Sequence, residues 1–409
     1  MRILVIVEPA RFDFYNYLSK EDTYEYILLW HEKASKMDLP LASLPLKFTK
    51  VIFWNDYISP RKLLSEIKPD KIIFFEIIDL RQIALIVTGN KLRITTFYLE
   101  HGAAGDREAA ITLWWDKKLY KEYKLPYFSK RIKTGFKDII RSKIFYYSVT
   151  KGFNSLASYI KYLKLPFVML RMLPNKALAY NKFPERTPAY SIIFNEINFE
   201  QFELYTGIPR SKALFTGVPA FDKFYTADCK EEEHLVYIDH PYYEERMLNW
   251  NKDHHRMIAE KLFAFAELNN IKLYVKLHPV SNRKNWEQYS FNKQYIEILQ
   301  NGDFNDLYLK SKLILGFSSS LMTGFLCARK NIVLLGWHPQ PHIFGVDFSK
   351  TGICHLSFSP DDLENNYSYW VNNNLTLENN GLYMNFLKKF NSPFDGQARE
   401  RIIGLINKL

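Results

Sequence analysis

The residues best placed for chemistry in this 409-residue chain sit where apolar runs stop. The stretch KLYVKLHP alternates apolar and polar side chains and ends at His278-Pro279. Further on, the apolar run Leu313 to Leu315 leads into Gly316 and then Ser318, Ser319 and Ser320. A helical segment and a second apolar run, Ile332 to Leu335, follow. This order predicts a strand, a turn, a helix and a strand, with hydroxyls where the helix starts. Free N–H groups at a helix N-terminus carry partial positive charge and bind phosphate. A histidine ending a neighbouring strand reaches the same phosphate. The expectation is that these two strand ends hold the phosphate of an activated donor.

The elements that must position these groups recur along the chain. Strands are expected at Arg2 to Glu8, Tyr26 to Trp30, Val51 to Trp54, Lys71 to Phe75 and Ile94 to Leu99. Helices are expected at Pro60 to Ile67, with Ser59 as cap and Pro60 in first position, and at Leu80 to Val87. The strand at Leu99 ends in Glu100-His101-Gly102, followed by small residues that let a ligand approach the backbone. The pattern resumes at Ser191 and pauses at Thr226 to Glu233, a polar stretch that reads as a linker. A second set starts at Leu235 to Asp239, so His240 also ends a strand. Alternating strands and helices imply parallel sheets, which place ligands at the carboxyl ends of strands.

The expected fold class is therefore α/β, with two Rossmann-like domains facing a cleft. The first spans 1–225 and the second 234–395, with a closing helix at 396–409. A basic, aromatic, helical insertion occupies about 114–182 of the first. The first domain is expected to take the acceptor and the second the nucleotide donor.

Composition narrows the function classes. A chain 47% hydrophobic and 24% charged is globular, not disordered. No apolar run reaches the roughly 18–20 residues of a membrane span. Cys229, Cys327 and Cys354 are scattered, which argues against a disulfide framework and for a reducing cytoplasm. The net charge of +11 is local: residues 116–176 hold fifteen Lys or Arg against three acids. Aromatics such as Trp114, Tyr120, Phe145 and Tyr146 interleave with those cations. Such a segment suits a membrane surface or an anionic glycan. The bland rival is a solvated helical hairpin whose aromatics are core. No nucleic-acid module is present, so nucleic acid is not an expected partner.

EHG after a first-domain strand, KLHP in the second domain and a serine run after the next strand resemble bacterial sialyltransferases and their capsule-building relatives. These are GT-B glycosyltransferases that use cytidine-activated sugars. Their pattern has two acids before the glycine, whereas here His101 replaces the second. That departure is similar to the CDP-glycerol glycerophosphotransferases of teichoic acid synthesis. TGIPRSKALFTGVPAFD and SPFDGQARERI look like pieces of the UDP-N-acetylglucosamine 2-epimerase fold. Asp361-Asp362, which precede a helix with no strand before it, read as a cap rather than an acidic metal site, so no metal requirement is expected. The resemblance implies a bacterial, cofactor-free inverting transferase. It would move a sialic acid-like or Kdo-like sugar from a CMP-activated donor to a capsular, lipopolysaccharide or other lipid-linked acceptor. It would work on the inner face of the plasma membrane.

In that reading His101 is the base and Glu100 its alternative or its orienter. His278 gives a proton or hydrogen bond to the leaving phosphate, and Pro279 fixes the turn behind it. Ser318, Ser319 and Ser320 bind the same oxygens. Gly316 lets the nucleotide lie on the backbone, and His240 touches donor or acceptor. Each has a structural rival: a strand-end histidine is often packing, and a serine at a helix start is often only a cap. His338 and His342 read as ordinary loop residues, and the His254-His255 pair as exposed positions of a helical stretch. A polyol-phosphate transferase and a UDP-sugar enzyme are the alternative activities. A non-catalytic binding protein on the same scaffold is the third class.

Overall fold

The computed structural model describes residues 1–6, 12–30, 46–102, 136–172, 174–225, 230–245, 247–317, 319–343 and 347–409. The chain divides into two compact units. One holds the described residues of 1–219 together with Gln397–Leu409, and the other holds Ala220–Gly396.

The first unit carries a seven-stranded parallel sheet: β1 (Arg2–Ile6), β2 (Glu25–Trp30), β3 (Phe48–Phe53), β4 (Lys71–Phe74), β5 (Thr95–Leu99), β6 (Tyr190–Ile193) and β7 (Ala213–Phe215). Their spatial order is β3-β2-β1-β4-β5-β6-β7, so the winding reverses between β1 and β4. The strands are short runs rich in Ile, Leu and Phe, and β4 is buried along its whole length. That is the sequence of strands covered on both faces.

Helices α1 (Pro60–Ile67), α2 (Leu80–Lys91), α3 (Phe136–Tyr147), α4 (Leu156–Arg171), α5 (Pro174–Tyr180) and α6 (Glu196–Thr206) also belong to this unit. Helix α1 begins as its sequence dictates. The Ser59 hydroxyl accepts the Lys62 N–H at 3.2 Å and Pro60 sits in the first turn. Such a cap contributes about 1 kcal/mol. The last helix, Ala398–Lys408, returns to this unit. Arg401 donates to the Thr216 carbonyl, and buried Lys71 donates to the Asn407 carbonyl at 3.2 Å.

The second unit carries a six-stranded parallel sheet: β8 (Glu232–Ile238), β9 (Lys272–Lys276), β10 (Ile296–Leu299), β11 (Ser311–Gly316), β12 (Ile332–Leu335) and β13 (His355–Ser357). The order β10-β9-β8-β11-β12-β13 reverses between β8 and β11. Helices α7 (Lys252–Leu268), α8 (Arg283–Ser290), α9 (Asn305–Lys310), α10 (Ser320–Cys327) and α11 (Asp361–Asn372) follow successive strands.

Two features differ from the sequence reading. Glu232 and Glu233 belong to β8 rather than to a linker. Lys310 and Lys312 pair with them at 3.1 and 2.5 Å and extend the strand past its apolar part. The sheet also gains β10 and β13, edge strands of four and three residues, too short to stand out by periodicity. Of the basic segment, 114–135 and 173 lie outside the described residues. Of its later aromatics, Phe145 and Tyr146 are core.

Candidate functional site

Register fixes the level at which the second sheet stops. Ile238 faces Lys276 across β8 and β9, and Gly316 faces Ile238 across β11 and β8. The residues that follow therefore emerge side by side at the carboxyl edge, next to the strand reversal. Ligands of open α/β sheets bind at that place.

Asp239 leaves β8 first and is 5% exposed. Its carboxyl group accepts the Ser281 hydroxyl at 2.6 Å and the backbone N–H groups of His278 and His240. Burial pushes its pKa up to about 7 despite those bonds. One buried carboxyl group thus ties the turn after β8 to the turn after β9. Sequence reasoning passed over Asp239 and Ser281. The signal was present, since Asp239 is itself a strand-end residue.

His240 follows, and its ring stacks on Tyr242 with centroids 4.2 Å apart. The His278 ring lies 5.9 Å from it at an interplanar angle of 27°. Burial, and then the neighbouring His278, push the His240 pKa down to about 4, so the ring is neutral at physiological pH. Its Nδ1 is buried with no hydrogen-bond partner among the described residues.

His278 is half-buried, and its Nδ1 accepts the Val280 N–H at 3.2 Å. A neutral ring bonded in that way carries its own proton on Nε2, as a donor. Pro279, exposed, turns the chain between them. Gln300 fastens the turn by donating to the Ser281 carbonyl at 2.7 Å.

Beyond β11, Ser318 lies outside the described residues. Ser319 is the N-cap of α10, accepting the Leu321 N–H at 3.3 Å, and Ser320 is exposed in the first turn. The space beside Gly316 is filled by protein. A Cβ there would lie 2.4 Å from Met322 Cε and 3.2 Å from the Ile238 carbonyl oxygen.

His338, read as a loop residue, is buried, and the His254-His255 pair, read as exposed, is not. His338 is 3% exposed, and its Nδ1 accepts the Trp250 indole N–H at 2.9 Å. Burial, reinforced by nearby His342, His254 and His240, pushes its pKa down to about 3. His254 is half-buried and bonds the Trp337 carbonyl at 2.7 Å. His255 is buried, its ring 4.8 Å from that of Trp286. Helix α7 turns the His254 and His255 rings inward, which a polar helical stretch does not reveal.

Trp250 follows a tight turn in which Leu248 (φ 52°) and Asn249 (φ 61°) are both left-handed. The conformation costs a leucine about 1–2 kcal/mol, and such strain gathers at functional sites. Trp250 and Asn249 also line a pocket of about 620 Å³.

The first unit offers a different group. The Glu100 amide donates to the Ile192 carbonyl at 3.0 Å, anchoring the end of β5 to β6. The Glu100 carboxylate is buried and accepts the His101 N–H at 3.0 Å. His101 Nδ1 stands 3.8 Å from the same oxygen. Tyr98 also hydrogen-bonds Glu100, and burial together with that carboxylate holds its phenol far above the usual range. Gly102 is held by Asn198, whose amide donates to its carbonyl at 2.7 Å, and space beside its α-carbon is open. The structure thus brings Glu100 and His101 together over a buried phenol. Tyr98 and Asn198 were not singled out by sequence. Ala103 to Gly105 lie outside the described residues.

No protein-family model matches the chain, and no curated protein matches it. Solved structures do. The UDP-GlcNAc 2-epimerase from Methanocaldococcus jannaschii is 13% identical over 100% of this chain and 99% of its own, with a TM-score of 0.53. The UDP-GlcNAc 2-epimerase from Neisseria meningitidis bound to UDP-GlcNAc is 13% identical over 100% of both chains, with a TM-score of 0.52. The wall teichoic acid polymerase TagF, soaked with CDPG, is 12% identical over 100% of this chain and 88% of its own, with a TM-score of 0.52. At these identities the likeness is one of architecture: two parallel sheets of seven and six strands with their helices form the two-domain GT-B α/β fold.

Proposed function

We propose that the chain is an inverting glycosyltransferase that moves an acidic, sialic acid-like or Kdo-like sugar from a CMP-activated donor to a surface glycan or glycolipid. The observation that carries this reading is His278. Its Nδ1 accepts a backbone N–H beside the strand reversal, so the neutral ring carries its proton on Nε2. A leaving phosphate there accepts a hydrogen bond from Nε2, and its developing charge is stabilised as the glycosidic bond breaks. The α10 N-terminus, with Ser318, Ser319 and Ser320, is assigned to the same oxygens. Neutral His240, with its buried Nδ1, is assigned to the donor. His101 takes the acceptor proton, and buried Glu100 orients it as a positioning residue. The chemistry assigned here uses side chains and backbone only.

A second reading is favoured by His101 itself. An imidazole stands where the sialyltransferase pattern has an acid, and this suits transfer of glycerol or ribitol phosphate from a CDP donor. Mass spectrometry of products made from each donor separates the two, by an added acidic sugar or an added polyol phosphate. A thermal-shift screen with CMP, CDP, UMP and UDP tests the nucleotide, because a ligand held only by the folded state raises Tm. Selective stabilisation by UDP overturns both readings in favour of a UDP-sugar enzyme. The acceptor is assigned to an anionic or lipid-linked glycan on the inner face of the plasma membrane, reached through the basic segment 114–176. Among the described residues no helix is long and apolar enough to cross a membrane.

A further inference from the structure

Helix α4 is apolar on two opposite sides. Ser158, Tyr162, Leu165 and Met169 are buried. Tyr162 stacks on Tyr146 of α3 with centroids 3.9 Å apart, and each hydroxyl donates to the other residue's carbonyl. On the reverse side Leu156, Ile160, Phe167 and Leu170 are 73%, 41%, 63% and 46% exposed. At 100° per residue those four span an arc of about 80°, facing directly away from the buried set. Lys161, Lys164 and Arg171 run along one flank of that arc. An ordinary surface helix places polar side chains there.

We propose that this face of α4 seats on an anionic lipid bilayer. The apolar row enters the acyl boundary and the flanking cations meet the headgroup phosphates. The inference names the membrane contact of the reading above and rests on it for the location of the acceptor. Charge decides the occupant. Residues 139–184 contain eight Lys or Arg and no Asp or Glu. A second copy of the chain would set the same cations against each other. A soluble acidic glycan would satisfy the cations and leave the four apolar side chains in water.

The test is flotation of the full chain with phosphatidylcholine vesicles and with vesicles that also contain phosphatidylglycerol. Leu156→Ser with Phe167→Ser, and separately Lys164→Glu, are compared with wild type. All three are also run by size exclusion and by nucleotide thermal shift. Wild type is expected to float only with the anionic vesicles, less at high salt. The double variant should bind at least roughly tenfold more weakly, and Lys164→Glu should show a smaller loss. Unaltered nucleotide shifts in the variants establish that they are folded. They also separate this test from the donor assignment, which stands or falls on the shifts alone. The inference is overturned if wild type does not float, or if the double variant floats equally well. It is also overturned if wild type is a dimer that the double variant converts to monomer while vesicle binding persists. Competition by a soluble acidic glycan that is insensitive to the double variant overturns it in favour of a glycan site.

Discussion

The carboxyl edges of the two sheets are built by the same winding and furnished with opposite chemistry. Each sheet reverses direction once, between β1 and β4 and between β8 and β11. At the second edge, burial keeps the His240 imidazole neutral and raises the pKa of the Asp239 carboxyl group to about 7, and the rings of Tyr242, His240 and His278 lie in near-parallel succession. In the proposed reading that surface of flat rings takes a base and a phosphate. At the first edge, a buried carboxylate is held by an amide and a phenol beside a more exposed imidazole. In the proposed reading that arrangement moves a proton. The lesson is that a shared fold fixes where a site lies, while local burial decides what it does.

The comparison breaks most sharply at the two histidines. His278→Ala and His101→Ala are each expected to lower turnover by roughly a hundredfold or more. Only His278→Ala should also shrink the thermal shift produced by nucleotide. Steady-state kinetics with thermal-shift titration checks this. Equal loss of the shift in both variants would remove the division of labour between the edges. Full activity in both would move the chain to the non-catalytic class.

Next in size is the pH dependence of stability. Asp239 has a folded pKa near 7 against an ordinary value of 3.8, so the folded chain holds the extra proton between those pH values. Its contribution to stability is present at low pH and falls as pH rises toward 7. His240 and His338 act in the reverse sense. Their folded pKa values, about 4 and about 3, lie below the ordinary 6.5, so stability from them grows as pH rises toward 6.5. Asp239→Asn should remove only the falling limb. Urea unfolding should find it more stable than wild type at pH 8, on the order of 2–4 kcal/mol, with the difference closing toward pH 4. A constant difference across that range would show that Asp239 is not the group that titrates.

A smaller effect is expected at Gly316. Gly316→Ala must displace Met322 and crowd Ile238, and should lower stability by about 1–3 kcal/mol. If stability is unchanged and only nucleotide affinity falls, the glycine serves the ligand rather than the packing of β11 against β8.

The two edges also differ in how much of them the sequence discloses. The strands were legible because parallel, doubly covered strands are dense runs of Ile, Leu, Val and Phe. His278 and Glu100-His101 were legible because each ends such a run. The state of Asp239 was not. Its pKa depends on a full shell of neighbours from β8, β9 and the turn at Ser281, which come together only in the folded chain. His254 and His255 were misread because their helical stretch looks polar, whereas their rings turn in toward Trp337 and Trp286. Tyr98 read as one more strand residue, since nothing in a strand's pattern says which buried phenol meets a carboxylate.

The finest distinction lies within the serine run. Ser319 caps α10, so its hydroxyl already accepts the Leu321 N–H. A capping oxygen still has a proton to donate, so capping and phosphate binding are compatible. Ser319→Ala should lower stability by about 1 kcal/mol, whether or not nucleotide is present, if capping is its whole role. If it also holds phosphate, the loss should grow in the presence of saturating nucleotide, because the ligand's contribution to Tm shrinks with its affinity. Ser320→Ala is the matched control: its side chain is exposed and does not cap. A nucleotide-dependent loss at Ser320 with none at Ser319 would place the phosphate contact on the first turn of the helix rather than on its cap.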